Sequence, residues 1–178
     1  MNIFLIGFMG SGKTTIGKML AAKLKFTFVD LDSEIELSRG MEISMIFSKM
    51  GEQSFREMER DTLALFIKND NQVLSVGGGL PCFHNNIETM NCNGVTVYLK
   101  MSLEAILLRL LQLPETSRLS RPLLANKTKD ELSGYIKNTL IKREPFYNQA
   151  RIVVLNETSD TNITLARIIN ALSLQKKN

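Results

Sequence analysis

The sequence predicts an α/β protein built on a five-stranded parallel sheet. Three observations lead there. Short apolar runs alternate with longer stretches of helical period. The runs are almost continuously apolar, as strands are when both faces of a parallel sheet are covered. The first run passes directly into Gly7-Phe8-Met9-Gly10-Ser11-Gly12-Lys13-Thr14, a glycine-rich turn that opens a helix.

The elements follow in chain order. Strands are expected at residues 3–6, 27–30, 73–76, 95–99 and 152–155. Helices are expected at 13–24, 52–68, 103–111, 129–147 and 161–174. The first helix carries Ile16, Leu20 and Leu24 on one stripe, and the second carries Phe55, Met58, Thr62 and Leu65 on another. The nine methionines fall mostly inside these stretches and read as core filling. Residues 112–124 break the helical period with Pro114, Pro122, Thr116, Ser117 and Ser120, and they carry Arg118 and Arg121. A polar loop of that length inside a compact domain is characteristic of a lid.

Composition narrows the classes of function. The 178 residues suit one domain with a full core. Repeats and linkers are absent, so residues 1–178 read as a single domain. No apolar run is long enough to span a bilayer, and the start lacks the basic region of a signal peptide, which predicts a cytoplasmic protein without a membrane partner. The net charge of +4 comes without a dense basic face, so no nucleic-acid partner is expected. Two cysteines and one histidine cannot supply a zinc site, and Cys82 and Cys92 read as reduced thiols.

Residues 7–14 fit G-x-x-x-x-G-K-T, placed between strand and helix as a phosphate cradle requires. Glycines allow a tight loop whose N–H groups point inward, and the helix start adds unpaired N–H groups and partial positive charge. Lys13 can reach the terminal phosphates of a nucleotide, and the Thr14 hydroxyl can join a Mg²⁺ shell. Three more features lie where strands end on the ligand side of such a sheet. Asp30-Leu31-Asp32 closes the second strand, and either alternation places both carboxylates on one side, one for Mg²⁺ through water and one for an attacking hydroxyl, or Asp32 or Ser33 caps the next helix. Val76-Gly77-Gly78-Gly79 closes the third, as at a close approach of ligand to backbone or in a flexible turn. Arg56 and Glu59 stand three apart on a helix, so the carboxylate can fix the guanidinium as a clamp for an anion.

Taken together, these blocks resemble the shikimate kinase family. The resemblance covers nearly the whole chain and rests on Gly7–Thr15, Asp30-Leu31-Asp32, Gly51–Glu59, Gly77-Gly78-Gly79, Arg121-Pro122-Leu123-Leu124 and Arg143-Glu144-Pro145-Phe146-Tyr147. It implies a three-layer α/β/α P-loop kinase fold with a mobile lid over residues 112–124, acting as a monomer. It implies transfer of the γ-phosphoryl group of ATP, with Mg²⁺, to the 3-hydroxyl of shikimate. Gly10, Ser11, Gly12, Lys13, Thr14 and Thr15 would hold the ATP phosphates, with Thr14 on the metal and Asp30 in its outer shell. Asp32 would bind the acceptor hydroxyls and act as base. Arg56 and Arg143 would clamp the shikimate carboxylate, and Gly78 and Gly79 would offer backbone contact. Lys13, Asp32 and Arg121 would carry the catalysis, Arg121 descending with the lid onto ATP. Arg118 is an extra arginine in a lid longer than in many members, and Arg151 is placed near the nucleotide.

Two other readings compete. Another small-molecule kinase, acting on gluconate or a nucleotide, would share the cradle. A GTPase-like switch would need D-x-x-G, which is absent, and N-K-x-D, where Asn126-Lys127-Thr128-Lys129 has lysine in place of aspartate.

Overall fold

In the computed structural model the strands are β1 (Asn2–Ile6), β2 (Thr27–Asp30), β3 (Gln72–Ser75), β4 (Gly94–Lys100) and β5 (Ile152–Leu155). They form one parallel sheet in the order β2-β3-β1-β4-β5. The structure describes residues 1–113, 127–158 and 160–175. Residues 114–124 of the expected lid, with Arg118 and Arg121, lie outside the described residues.

The helices are α1 (Lys13–Leu24), α2 (Leu31–Arg39), α3 (Ile43–Phe66), α4 (Asn86–Asn93), α5 (Leu103–Leu111), α6 (Lys129–Tyr147) and α7 (Thr161–Gln175). Among the described residues no helix is long and apolar enough to cross a membrane.

Alternation along β1 sorts the core into two layers. Ile3 and Leu5 face α1 and α7, where they meet Ile16, Leu20, Ile168 and Leu172. Phe4 and Ile6 face the other side, against Leu63 of α3, Met90 of α4 and Tyr147 of α6. Each such side chain, fully buried, contributes roughly 1.5–3 kcal/mol. Two smaller clusters attach the outer helices. Ile106 and Leu110 of α5 pack on Leu132 and Ile136 of α6. Ile35 of α2 packs on Ile46, Phe55 and Met58 of α3. The result is a three-layer α/β/α fold, as expected.

Three elements differ from the sequence reading. Helix α2 begins at Leu31, so the chain leaves the extended state at Asp30 (φ −107, ψ 109). The alternation argument for Asp30 and Asp32 therefore fails. Leu31 turns into the core and is fully buried, while Asp32 and Glu34 occupy the first turn, where negative charge suits the helix dipole. Helix α3 begins at Ile43 rather than at residue 52, but Gly51 (φ 80, ψ 169) breaks it. The expected helix is its second segment. Helix α4 was not anticipated, because its sequence NIETMNCN has little apolar period.

The strand order fixes where a ligand can sit. The connection from β1 runs to one side of the sheet, and the connection from β3 crosses β1 to reach β4. The carboxyl ends of β2, β3 and β1, three neighbours, open onto one crevice.

Candidate active site

The phosphate loop leaves β1 at Ile6 and enters α1 at Lys13. Gly10 (φ +79) and Gly12 (φ +86) hold left-handed conformations that a side chain would strain. Gly12 caps α1 without a side-chain bond, so the N–H groups of the first turn face the cleft. Lys13 Nζ donates to the carbonyls of Gly7 (2.9 Å) and Phe8 (3.1 Å), folding back over the loop. Thr14 Oγ1 donates to Asp30 Oδ2 at 2.9 Å, which joins the helix start to the end of β2.

Ser11 lies beneath the loop instead of in the cleft. Its hydroxyl is buried without a hydrogen-bond partner among the described residues, its N–H donates to Phe8 O, and its carbonyl accepts from Asn156 Nδ2 at 2.6 Å. Asn156 is itself buried, and its Oδ1 accepts from Thr164 of α7. The end of β5 thus pins the loop to α7.

The other side of the cleft is assembled from four separate elements. Asp32 comes from α2, Arg56 and Glu59 from α3, Gly77, Gly78 and Gly79 from the turn after β3, and Arg143 from α6. Helix α6 is set by a capping box between Thr128 and Glu131, which fixes the register that carries Arg143 inward. All these residues, with Gly10, Gly12, Lys13, Thr14, Thr15 and Asp30, line one cleft of about 960 Å³.

The three glycines have a steric cause. A Cβ on Gly77 would stand 2.6 Å from Glu59 Oε1 and 2.7 Å from Asp32 Oδ1. One on Gly78 would stand 3.0 Å from Arg143 Nη1, and one on Gly79 would stand 2.6 Å from Arg56 Nη1. Gly77 makes room for two carboxylates, Gly78 for Arg143 and Gly79 for Arg56. The turn is neither loose nor free, since the Tyr147 hydroxyl donates to the Gly78 carbonyl.

Arg56 is 8% exposed, so the solvated ion pair a helix usually shows is excluded. Its Nη1 donates to Glu59 Oε2 at 2.6 Å, and its Nε and Nη2 donate to Glu52 Oε1 at 3.2 and 2.9 Å. The guanidinium also lies against the rings of Phe83 (4.5 Å), Phe55 (5.4 Å) and Phe47 (5.8 Å). A planar cation held on two edges, with an outer pair of N–H groups remaining, suits a carboxylate end-on.

Burial pushes the carboxyl of Asp32 up to about 6, with help from the neighbouring Asp30, while Lys13 and Arg56 pull it down. Burial raises Glu59 to about 7 against the opposing pull of Arg56. A carboxylate poised near 6 can accept a proton at neutral pH.

Several participants escaped the sequence reading. Arg109 of α5 donates to the carbonyls of Asn156 (3.2 Å) and Thr158 (2.9 Å) and lies beside Gly12. Phe83 and Asn156 carry no local signal, because only the tertiary fold brings them to the site. Arg151 is a correction. It donates to Asn91 O at the amino end of β4, away from the cleft, because it precedes β5 rather than following it.

The comparisons bear on this cleft. The family model for shikimate kinase matches residues 9–173. The chain belongs to the shikimate kinase family. A shikimate kinase of Azobacteroides pseudotrichonymphae genomovar CFP2 is 47% identical over 153 residues, 85% of this chain and 88% of that one. A crystal structure of shikimate kinase from Bacteroides thetaiotaomicron has a TM-score of 0.91 at 39% identity, covering 97% of this chain and 98% of that one. A shikimate kinase from Acinetobacter baumannii in complex with shikimate has a TM-score of 0.89 at 31% identity, covering 99% and 95%. Membership of the shikimate kinases makes this chain a kinase that transfers phosphate to an alcohol group of shikimate.

Proposed function

We propose that the chain moves the γ-phosphoryl group of ATP to the 3-hydroxyl of shikimate, giving shikimate 3-phosphate and ADP for the synthesis of chorismate and the aromatic amino acids. The observation that carries this is the meeting of a phosphate loop with Asp32, Arg56 and Arg143 in one cleft. Shikimate is a carboxylate with three hydroxyls, so two arginines and an aspartate match it. A neutral acceptor would leave buried guanidinium groups unmatched, at a cost of several kcal/mol, which weighs against a nucleoside or simple polyol kinase.

In this reading Gly10, Gly12, Lys13, Thr14 and Thr15 hold the ATP phosphates through loop N–H groups and the Lys13 ammonium, while Ser11, its N–H committed to Phe8, braces the loop from beneath. Arg56 and Arg143 seat the carboxylate, Gly78 and Gly79 bring backbone against the ring, and Asp32 orients the hydroxyl and takes its proton. Arg121, which lies outside the described residues, neutralises phosphate charge in the same reading. Such a reaction needs mainly positioning and neutralised charge. The Thr14 hydroxyl and the Asp30 carboxylate, 2.9 Å apart, are hard oxygen donors of the kind Mg²⁺ prefers. One or two protein ligands suffice when phosphates and waters complete the shell, so the lack of a larger metal-binding cluster among the described residues fits. Bound with ATP, Mg²⁺ would neutralise charge on the β- and γ-phosphates. The same reading takes the chain as a single-domain monomer of the cytoplasm.

The test is ADP release measured against shikimate, quinate, gluconate and nucleoside monophosphates. Turnover should depend on shikimate. A higher kcat/KM for gluconate or a nucleotide would remove the acceptor assignment.

A further inference from the structure

The acceptor side holds one oxygen that no step above employs. Glu59 is 1% exposed, and its Oε1 has no hydrogen-bond partner among the described residues. The point where a Gly77 side chain would begin lies 2.6 Å from that oxygen and 2.7 Å from Asp32 Oδ1. Two carboxylate oxygens therefore border the one space that glycine leaves. A buried acceptor without a donor is costly, and an O–H on Glu59 can satisfy both once a small turn of the carboxyls closes that space.

The arrival of an acceptor carboxylate changes the balance. Arg56 already serves Glu59 through Nη1 and Glu52 through Nε and Nη2. A further carboxylate on that guanidinium must share it with Glu59 and brings negative charge beside it. The groups facing Glu59 from other elements are Asp32 on α2, which favours a proton on Glu59, Arg143 on α6, which opposes it, and the thiol of Cys82. Arg143 is the second arginine that the acceptor would occupy, so its opposition weakens at the same moment.

We propose that Glu59 takes up a proton from solvent as the acceptor's carboxylate docks on Arg56, and that the acid so formed donates from Oε1 to Asp32 Oδ1. The proposal rests on the acceptor reading above. An O–H bond forms on Glu59, the proton leaves water or buffer, and no electrons are transferred. Glu59 is a positioning residue. Its donated bond fixes Asp32 and leaves Oδ2 for the acceptor hydroxyl. Burial already holds the Glu59 carboxyl at about 7, so a modest added charge tips it at neutral pH.

Calorimetric titration of the full chain with shikimate decides the matter, run at about pH 7.5 in two buffers of different ionisation enthalpy. The wild type should take up roughly half a proton per site. Its Kd should rise several-fold from about pH 6.5 to about pH 8.5. Glu59→Gln, whose amide copies the shape and the donor of the acid, should bind without proton uptake and with a flat pH profile. No uptake in the wild type, or undiminished uptake in Glu59→Gln, overturns the proposal. Should the variant fail to fold, infrared difference spectra of the wild type replace it. A protonated-carboxyl stretch appearing on shikimate addition supports the proposal, and its absence overturns it. Failure of shikimate to bind at all would overturn the acceptor reading itself and this proposal with it.

Discussion

The two halves of the cleft are built on opposite plans. The phosphate half is a run of consecutive residues from Gly7 to Thr14 that uses backbone N–H groups, one ammonium and one hydroxyl. The acceptor half draws charged side chains from α2, α3 and α6 onto a glycine turn after β3. A backbone cradle is set by local conformation. A side-chain pocket depends on helix packing, and here each charged group is seated in the space left by one missing Cβ. The first plan fits any nucleotide, and the second can be specific.

The largest test separates the halves outright. Lys13→Ala should lower kcat by about a thousand-fold or more, as loss of a charge-stabilising donor does. Its thermal midpoint should stay close to wild type, since the bonds that Lys13 makes to the Gly7 and Phe8 carbonyls lie in the open cleft, where water can replace them. Retained turnover would show that the cradle is not the site of phosphoryl transfer.

Next comes the clamp. Arg56→Ala should weaken acceptor binding by ~2–5 kcal/mol, read as shikimate KM at saturating ATP. An unchanged KM would show that the carboxylate docks elsewhere. Gly79→Ala sharpens the comparison. Its methyl group would displace the Arg56 guanidinium, so shikimate KM should rise about ten- to hundred-fold while ATP KM holds. Equal effects on both substrates would mean that the two halves are mechanically coupled.

The smallest effect is on stability. Asp32 and Glu59 have carboxyl groups held above their ordinary values, at about 6 and about 7. The folded state therefore binds more protons than the unfolded chain between roughly pH 4 and pH 7. Their ionisation penalty is absent below that window, grows through it, and is complete above it. Relative to wild type, the Asp32→Asn/Glu59→Gln double variant should gain about 1–3 kcal/mol of stability as pH rises from about 4.5 to about 7.5. Denaturant midpoints read this directly, and a constant difference across the range would refute the assigned burial.

The same contrast explains what was legible in the sequence. Residues 13–24, 27–30, 103–111, 129–147 and 152–155 were read with their observed boundaries, because period and punctuation are local. The cradle was legible for the same reason. Asp32 and Arg56 were read from local patterns, Asp32 by an alternation that does not hold, and Arg143 through family resemblance; the structure brings the three together. The cause of the three glycines was not legible, since it depends on where α2, α3 and α6 pass. Nor was α2. A nine-residue helix with two buried apolar residues resembles the continuation of a strand until Leu31 is seen to turn inward. The relation of Glu59 to Asp32 required the gap at Gly77 to be seen in three dimensions.

Asn156 carries a consequence for the timing of synthesis. Its amide secures the carbonyl of Ser11 from 145 positions further along the chain. A growing polypeptide makes the nucleotide cradle almost at once but cannot lock it until the last strand has left the ribosome. That bond is thereby made only after the arginines of α3 and α6 have been synthesised.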